Sequence, residues 1–376
     1  MQQRKLRIII SGGGTGGHIF PAIAIANALK MINPDNEILF VGAEGRMEME
    51  KVPAAGYRIE GLRISGIQRK FSVKNFILPI KIIMSVLKAK GIIKNFSPDV
   101  AIGVGGYASG PLLYAAASMK IPTLIQEQNS YAGVTNKILA KRAQKICVAY
   151  EGMEKYFPSE KIIITGNPVR EEMINIKGKK DEACQFFGLE NKKRTILVIG
   201  GSLGARTINE SIAASLNDFS EKGYQLIWQT GKSFASKAEQ IVSPFSGKGI
   251  TTYDFIQRMD YAFAAADVII SRAGASSVSE LTLVAKPAIL VPSPNVAEDH
   301  QTKNAMALVN RKAALMVTDA DAKENLLPTT WKLLEDESML QSLSENISRM
   351  SVKNSALRIA GEVYKLLGEE INLFSN

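Results

Sequence analysis

At 376 residues, with 46% hydrophobic and 22% charged side chains, the chain is too long for one ordinary core and too apolar for disorder, which predicts a soluble protein of two domains. Two cysteines, Cys147 and Cys184, exclude a disulfide framework and a cysteine-based metal centre, and two histidines, His18 and His300, exclude a histidine-rich metal site. The net charge of +10 is unevenly placed, because residues 61–98 contain no acidic side chain at all.

The first predicted strand, residues 6–10, runs into Ser-Gly-Gly-Gly-Thr-Gly-Gly-His-Ile-Phe-Pro at 11–21, and Ile19, Ile23, Ile25, Ala26 and Leu29 then carry a helical period. A strand, a glycine turn and a helix start present free backbone N–H groups and a positive dipole end, so this is a phosphate-handling turn. Gly12, Gly14 and Gly17 also satisfy G-x-G-x-x-G, which leaves a dinucleotide fold open, with Glu44 near the end of the second strand as its ribose partner. The apolar run after Arg4, Lys5 and Arg7 breaks at glycine after three isoleucines, too short for a signal peptide, which predicts a cytosolic chain.

The second strand is read at 38–41. Beyond it, Arg63, Arg69, Lys70, Lys74, Lys81, Lys88, Lys90 and Lys94 interleave with Phe71, Phe76, Ile77, Leu78, Ile80, Ile82, Ile83, Met84, Val86 and Leu87. No lysine-free stretch reaches the ~18 residues of a spanning helix. A membrane surface, a solvated basic helix face and nucleic acid all remain open; lysine among aliphatics favours lipid, whereas nucleic-acid sites prefer arginine and stacking aromatics. The candidate membrane-facing residues are Lys70, Phe71, Lys74, Phe76, Ile77, Ile80, Lys81, Met84 and Lys88.

Short apolar runs at 100–104, 123–125 and 145–148 alternate with amphipathic stretches, the rhythm of a parallel α/β sheet. Gly166-Asn167-Pro168 ends the run at 162–164 and places a hinge near Pro168, before a charged connector at 177–180. The opening pattern then recurs: residues 195–199, a glycine turn at 200–205, and a helix bearing Ile208, Ile212 and Leu216. Later strands are expected at 225–228, 268–270, 288–291 and 314–317. The predicted class is therefore α/β, with two Rossmann-like doubly wound parallel-sheet domains at 1–168 and 169–351. A terminal helical period (Ala356, Ile359, Val363, Leu366, Leu367) suggests that about 352–376 packs back on the first domain.

In the second half, residues 271–281 follow a strand and offer small residues, hydroxyls and backbone N–H groups at a helix start, where diphosphate or ribose fits. Glu280 lies inside that helix, as a ribose acceptor or as a solvated carboxylate. Ser293 and the Glu298-Asp299-His300-Gln301 opening place polar groups at the same sheet edge. Gly231-Lys232-Ser233 lacks the leading glycine of a Walker A loop, since position 226 is leucine. Asp319-Ala320-Asp321 reads as helix capping rather than a metal site.

Taken together, Gly-Gly-Thr-Gly-Gly-His at 13–18, Gly-Val-Gly-Gly-Tyr-Ala-Ser-Gly-Pro at 103–111, Glu-Gln-Asn at 127–129, Gly-Asn-Pro-Val-Arg at 166–170, Gly-Gly-Ser at 200–202, Arg-Ala-Gly-Ala at 272–275 and His-Gln-x-x-Asn-Ala at 300–305 closely resemble the MurG family of bacterial peptidoglycan N-acetylglucosaminyltransferases, in glycosyltransferase family 28. The resemblance spans nearly the whole chain. It implies a GT-B fold with a central cleft and inverting transfer of N-acetylglucosamine from its UDP donor to lipid I, the undecaprenyl-diphosphate-linked muramyl-pentapeptide, giving lipid II. The family positions matched are Thr15, Gly16, Gly17, Asn129, Arg170, Ser202, Ile256, Ala275, Ser276, Ser277, Val278, Ser279, Glu280 and Gln301, with Glu280 as ribose ligand and Gln301 as sugar ligand.

In an inverting transfer the site must take a proton, stabilise an oxocarbenium-like centre and neutralise diphosphate. His18 is the first choice of base and Glu127 the second; the alternative for His18 is only to position the acceptor or to stabilise its diphosphate. Helix N-termini and Arg170 can hold the leaving group, so no cofactor and no metal is required. A lipid-linked acceptor gives the basic segment a purpose as a peripheral contact with the anionic cytoplasmic face of the inner membrane, without nucleic acid. An NAD-type oxidoreductase has no use for the second glycine-rich half; a non-catalytic, membrane-associated sugar-nucleotide binding protein is the third reading.

Overall fold

The computed structural model describes residues 4–64, 78–169, 175–201 and 204–371. The chain falls into two units, one of Met1–Val169 with Asn354–Asn376 and one of Arg170–Lys353.

The first unit alternates strand and helix: β1 (Arg7–Ser11), α1 (Gly16–Ile32), β2 (Glu37–Ala43), α2 (Glu48–Ala54), β3 (Arg58–Leu62), α3 (Leu78–Phe96), β4 (Val100–Gly103), α4 (Ser109–Ser118), β5 (Thr123–Glu127), α5 (Val134–Ala140), β6 (Lys145–Val148) and β7 (Ile162–Ile164). These strands form one parallel sheet in the order β3-β2-β1-β4-β5-β6-β7. Ile8, Ile9 and Ile10 are all fully buried, because helices cover both faces and a central strand must be apolar on each. On one face Ile9, Leu39 and Ile125 pack with residues of α3, α4 and α5. On the other, Ile8, Ile10 and Leu124 meet α1.

The second unit repeats the pattern: α6 (Lys180–Phe187), β8 (Thr195–Ile199), α7 (Arg206–Ala214), α8 (Leu216–Glu221), β9 (Gln225–Gln229), α9 (Ala235–Val242), β10 (Ile250–Tyr253), α10 (Met259–Ala265), β11 (Val268–Ser271), α11 (Ala275–Val284), β12 (Ala288–Leu290), α12 (His300–Val309), β13 (Leu315–Met316), α13 (Ala322–Glu335) and α14 (Glu337–Ser348). Its six-stranded parallel sheet runs β10-β9-β8-β11-β12-β13. The last two strands are shorter than the expected 288–291 and 314–317.

The chain then returns to the first unit as α15 (Ser355–Leu366), where Ile359, Ala360, Val363 and Tyr364 complete the α1-side core. Asn36 Nδ2 donates to Tyr364 Oη at 2.9 Å, and Lys145 of β6 pairs with Glu362.

In each sheet the strand order reverses once, between β1 and β4 and between β8 and β11. The loops leaving those strands diverge at the carboxyl edge, the place where open α/β sheets bind ligands. The glycine turns after β1, β4 and β8 all lie at these two switch points.

Candidate functional site

At the first switch point two glycine turns interlock. Gly13 N–H donates to Gly105 O at 3.3 Å, and a Cβ on Gly106 would lie 2.3 Å from Gly13 O, so only glycine permits this approach. The loop amides divide into two groups. Those of Gly13 and Gly14 are tied inward, the latter to Glu48 Oε2 at 2.9 Å. Those of Thr15, Gly16 and Gly17 sit at the N-cap and first turn of α1, where no carbonyl precedes them to accept their bonds. The positions matched by resemblance thus carry amides without an intrahelical acceptor.

His18 stands in the first turn of α1, half-buried. Its Nδ1 lies 3.1 Å from Gly13 O and 3.3 Å from Thr15 Oγ1. A carbonyl only accepts, so in the neutral ring this contact assigns the proton to Nδ1 and makes Nε2 the basic nitrogen. The Cδ2–Nε2 edge of the ring lies against Gly105, where a Cβ would come within 2.6 Å of Cδ2 and 2.8 Å of Nε2.

Glu127, the second candidate base, is enclosed by hydrogen-bond donors. It is 2% exposed at the end of β5. Oε1 accepts from Asn129 N at 3.1 Å and Asn129 Nδ2 at 3.3 Å, and Oε2 accepts from Gly133 N at 3.0 Å and Asn136 Nδ2 at 2.9 Å. A carboxylate whose lone pairs all accept protein protons is a brace: it shapes the loop that carries Asn129. Arg170 and Ser202 lie outside the described residues.

In the second unit a cavity of 510 Å³ opens at the β8/β11 switch point, lined by Gly200, Gly201, Gly204 and Thr207 on one side and Arg272, Ser277, Asn295 and Gln301 on the other. Gly204 adopts φ +80°, and a Cβ there would meet Thr230 O at 2.3 Å. Arg272 reaches across the sheet edge: Nη1 donates to Val291 O at 3.0 Å and pairs with Asp319. Asp319 Oδ2 also accepts from Thr207 Oγ1 at 2.9 Å. The capping expectation at 319–321 therefore fails: Asp319 braces the cavity's guanidinium, and Asp321, at the N-cap of α13, accepts Thr318 Oγ1 at 2.6 Å without capping the helix. Arg206, at the cavity mouth, is held by Glu210, whose carboxyl the hydrogen bonds from Arg206 and Lys323 lower to about 2.

Of the other matched residues, Gln301 Oε1 accepts Ser293 N at 2.9 Å, which joins two cavity loops. Ala275, Ser276 and Ser279 lie half-buried along the start of α11, with Glu280 beside them. The side chain of Val278 is fully buried in the core, so that residue can offer a ligand only its backbone. Ile256 is 2% exposed, and its N–H donates to Gln229 Oε1 at 3.0 Å.

The basic segment is described only in part: Lys70, Phe71, Lys74, Phe76 and Ile77 lie outside the described residues. Along α3, Ser85, Ala89, Ile92 and Ile93 face inward, while Ile80, Ile83, Met84 and Leu87 are 59–63% exposed at i, i+3, i+4 and i+7. That is an apolar stripe turned to solvent. Lys81 is exposed beside it, whereas Lys88 donates to Glu44 at 3.0 Å and is already neutralised. Glu44 also pairs with Arg63, so it braces α3 instead of waiting for a ribose. Among the described residues no helix is long and apolar enough to cross a membrane, and no group of three or more His, Cys, Asp or Glu is disposed to hold a metal.

Sequence reasoning missed Glu48 and Thr207, and read Asp319 only as a cap. The one available signal was Gly42 inside a strand, since glycine there marks a close approach, and a Cβ on it would lie 2.6 Å from Glu48 Cγ.

Residues 8–148 match the model of the glycosyltransferase family 28 N-terminal domain, and residues 195–359 that of the glycosyltransferase family 28 C-terminal domain. The chain is 58% identical over 367 residues to a Parabacteroides distasonis protein named UDP-N-acetylglucosamine--N-acetylmuramyl-(pentapeptide) pyrophosphoryl-undecaprenol N-acetylglucosamine transferase, covering 98% of this chain and 100% of that one. A protein of the same name from Phocaeicola vulgatus is 57% identical over 365 residues, covering 97% of each chain. The crystal structure of Acinetobacter baumannii MurG is similar with a TM-score of 0.80 at 28% identity, covering 96% of this chain and 100% of that one.

Proposed function

We propose a reaction on a premise carried by the two domain matches and the near full-length relatives: this chain belongs to glycosyltransferase family 28. It has the GT-B fold and is a UDP-N-acetylglucosamine-dependent glycosyltransferase. It transfers N-acetylglucosamine to the lipid-linked muramyl-pentapeptide and so makes lipid II for peptidoglycan. The observation that carries this is 58% identity over 98% of the chain to a protein named for that transfer.

The donor's diphosphate would enter the cavity after β8, over the glycine turn and the N-termini of α7 and α11, where backbone N–H groups and Arg272 meet its charge. Asp319 fixes the guanidinium and removes part of its charge, which makes Arg272 a rigid, directional donor. Glu280 takes the ribose diol and Gln301 a sugar hydroxyl. Acceptor diphosphate lies against the amides of Thr15, Gly16 and Gly17.

In the step itself the 4-hydroxyl oxygen of the muramyl sugar attacks C1 from the face opposite UDP. Its proton passes to His18 Nε2, the C1–O bond to UDP breaks, and UDP departs with the electron pair, which inverts the anomeric centre. Positioned base catalysis contributes about 10²–10⁴-fold. The outward stripe of α3 and Lys81 would rest on an anionic lipid surface at the cytoplasmic face, bringing the enzyme to its acceptor.

The test is incubation with UDP-N-acetylglucosamine and a lipid I analogue. UDP release together with a disaccharide lipid is expected; hydride transfer to a nicotinamide, or donor binding without product, would overturn the reading.

A further inference from the structure

The Gly13–Gly14 peptide joins two side chains. Its carbonyl accepts from His18 Nδ1 at 3.1 Å, and its N–H donates to Glu48 Oε2 at 2.9 Å. Glu48 opens α2, is 0% exposed, and offers its second oxygen to Ala43 N–H at 3.0 Å. Among the described residues no lysine or arginine pairs with it. A carboxylate buried without a cation is costly, and the chain is shaped to admit this one: a Cβ on Gly13 would lie 2.2 Å from Glu48 Oε1.

We propose that Glu48 is a positioning residue for His18, acting through the Gly13–Gly14 peptide as a carboxylate–peptide–imidazole relay. A carboxylate on a peptide's N–H polarises the group and strengthens its carbonyl as an acceptor. The strengthened carbonyl holds the imidazole with its proton on Nδ1, leaves Nε2 as the base, and favours the imidazolium that forms when Nε2 takes a proton. No proton travels along the peptide. The part of Glu48 in the transfer rests on the reading of His18 as the base.

Other charges do not explain the same effect. The turns at 11–17 and 103–106 carry no charged side chain, and the first turn of α1 has no acidic residue. Tyr107, beside Gly14, is the titratable group at the lip, and Glu50 and Lys51 of α2 pair with each other in solvent.

Histidine-selective 15N NMR on the whole protein tests this, with the His18 signal assigned by its loss in His18→Asn. In the unaltered protein neutral His18 is expected to carry its proton on Nδ1, with the Gly14 amide proton strongly downfield. In Glu48→Gln the His18 titration midpoint is expected to fall by about one pH unit. Losing a negative charge disfavours the imidazolium, so the acid limb of the transferase pH profile moves to lower pH by the same amount. Turnover at pH 7.5 drops roughly ten-fold, with donor KM within about two-fold. A neutral His18 protonated on Nε2, or an unmoved midpoint in Glu48→Gln, would overturn the relay. If the variant does not fold, the tautomer and the Gly14 shift in the unaltered protein decide. Near-normal turnover in His18→Ala, with these NMR signatures present in the unaltered protein and shifted in Glu48→Gln, would instead remove the base reading alone.

Discussion

The two units carry glycine turns at the same topological position, yet the chemistry behind each turn is opposite. Behind the first lies a buried carboxylate, Glu48, and in front of it an imidazole. Behind the second lies a guanidinium, Arg272, braced by Asp319, with Arg206 at the mouth. A turn backed by negative charge favours a group that must gain a proton; a turn backed by positive charge favours one that leaves as an anion. One architecture has thus been charged in two ways, and in the proposed reaction the first turn would serve the nucleophile and the second the leaving group.

The sharpest way to break this contrast is at the imidazole. His18→Ala is expected to lower turnover by about 10²–10⁴-fold while donor affinity, read by UDP titration calorimetry, stays the same. Loss of donor affinity would merge the two roles. Next comes Gly105→Ala, which forces a Cβ to 2.8 Å from Nε2 at a residue with φ +96°. Turnover should fall about 10–100-fold, again without changing UDP affinity, because small misplacements of a reacting group are that expensive.

On the other side, Arg272→Met should weaken UDP binding by about ten-fold or more, as removal of a charged hydrogen-bond partner does, and leave the titration of His18 unmoved. The smallest effect concerns the surface of α3. Lys81→Ala should weaken binding to anionic vesicles about five-fold, near 1 kcal/mol. Lys88→Ala should do less, since Glu44 already holds that ammonium. Equal losses would mean that lipid displaces Glu44.

Much of the fold was legible because the central strands are apolar on both faces. β1, β4, β8 and β11 stand out as short aliphatic runs, whereas the edge strands β3 and β10 mix charged or hydroxyl residues with apolar ones and escaped notice. The site was legible where its chemistry is local. Glycine turns, His18 and the start of α11 are contiguous in sequence. The braces are not: Glu48 meets Gly14 across 34 positions, and Asp319 meets Thr207 across 112. Glu127 shows the converse, since its place beside Asn129 suggests chemistry and only the structure shows the four bonds it accepts.

The return of α15 to the first unit has a consequence for the birth of the molecule. On the ribosome the first sheet emerges early, but one of its faces waits for Ile359, Val363 and Tyr364, which are made only after the whole second unit. At bacterial synthesis rates the whole intervening unit takes on the order of ten seconds to appear. Throughout that interval the nascent chain exposes an apolar slot and an asparagine, Asn36, without its tyrosine. Folding of the first unit is thereby tied to synthesis of α15: a chain stopped at residue 353 would hold every side chain named in the transfer and still lack the helix that seals the fold around His18's own scaffold.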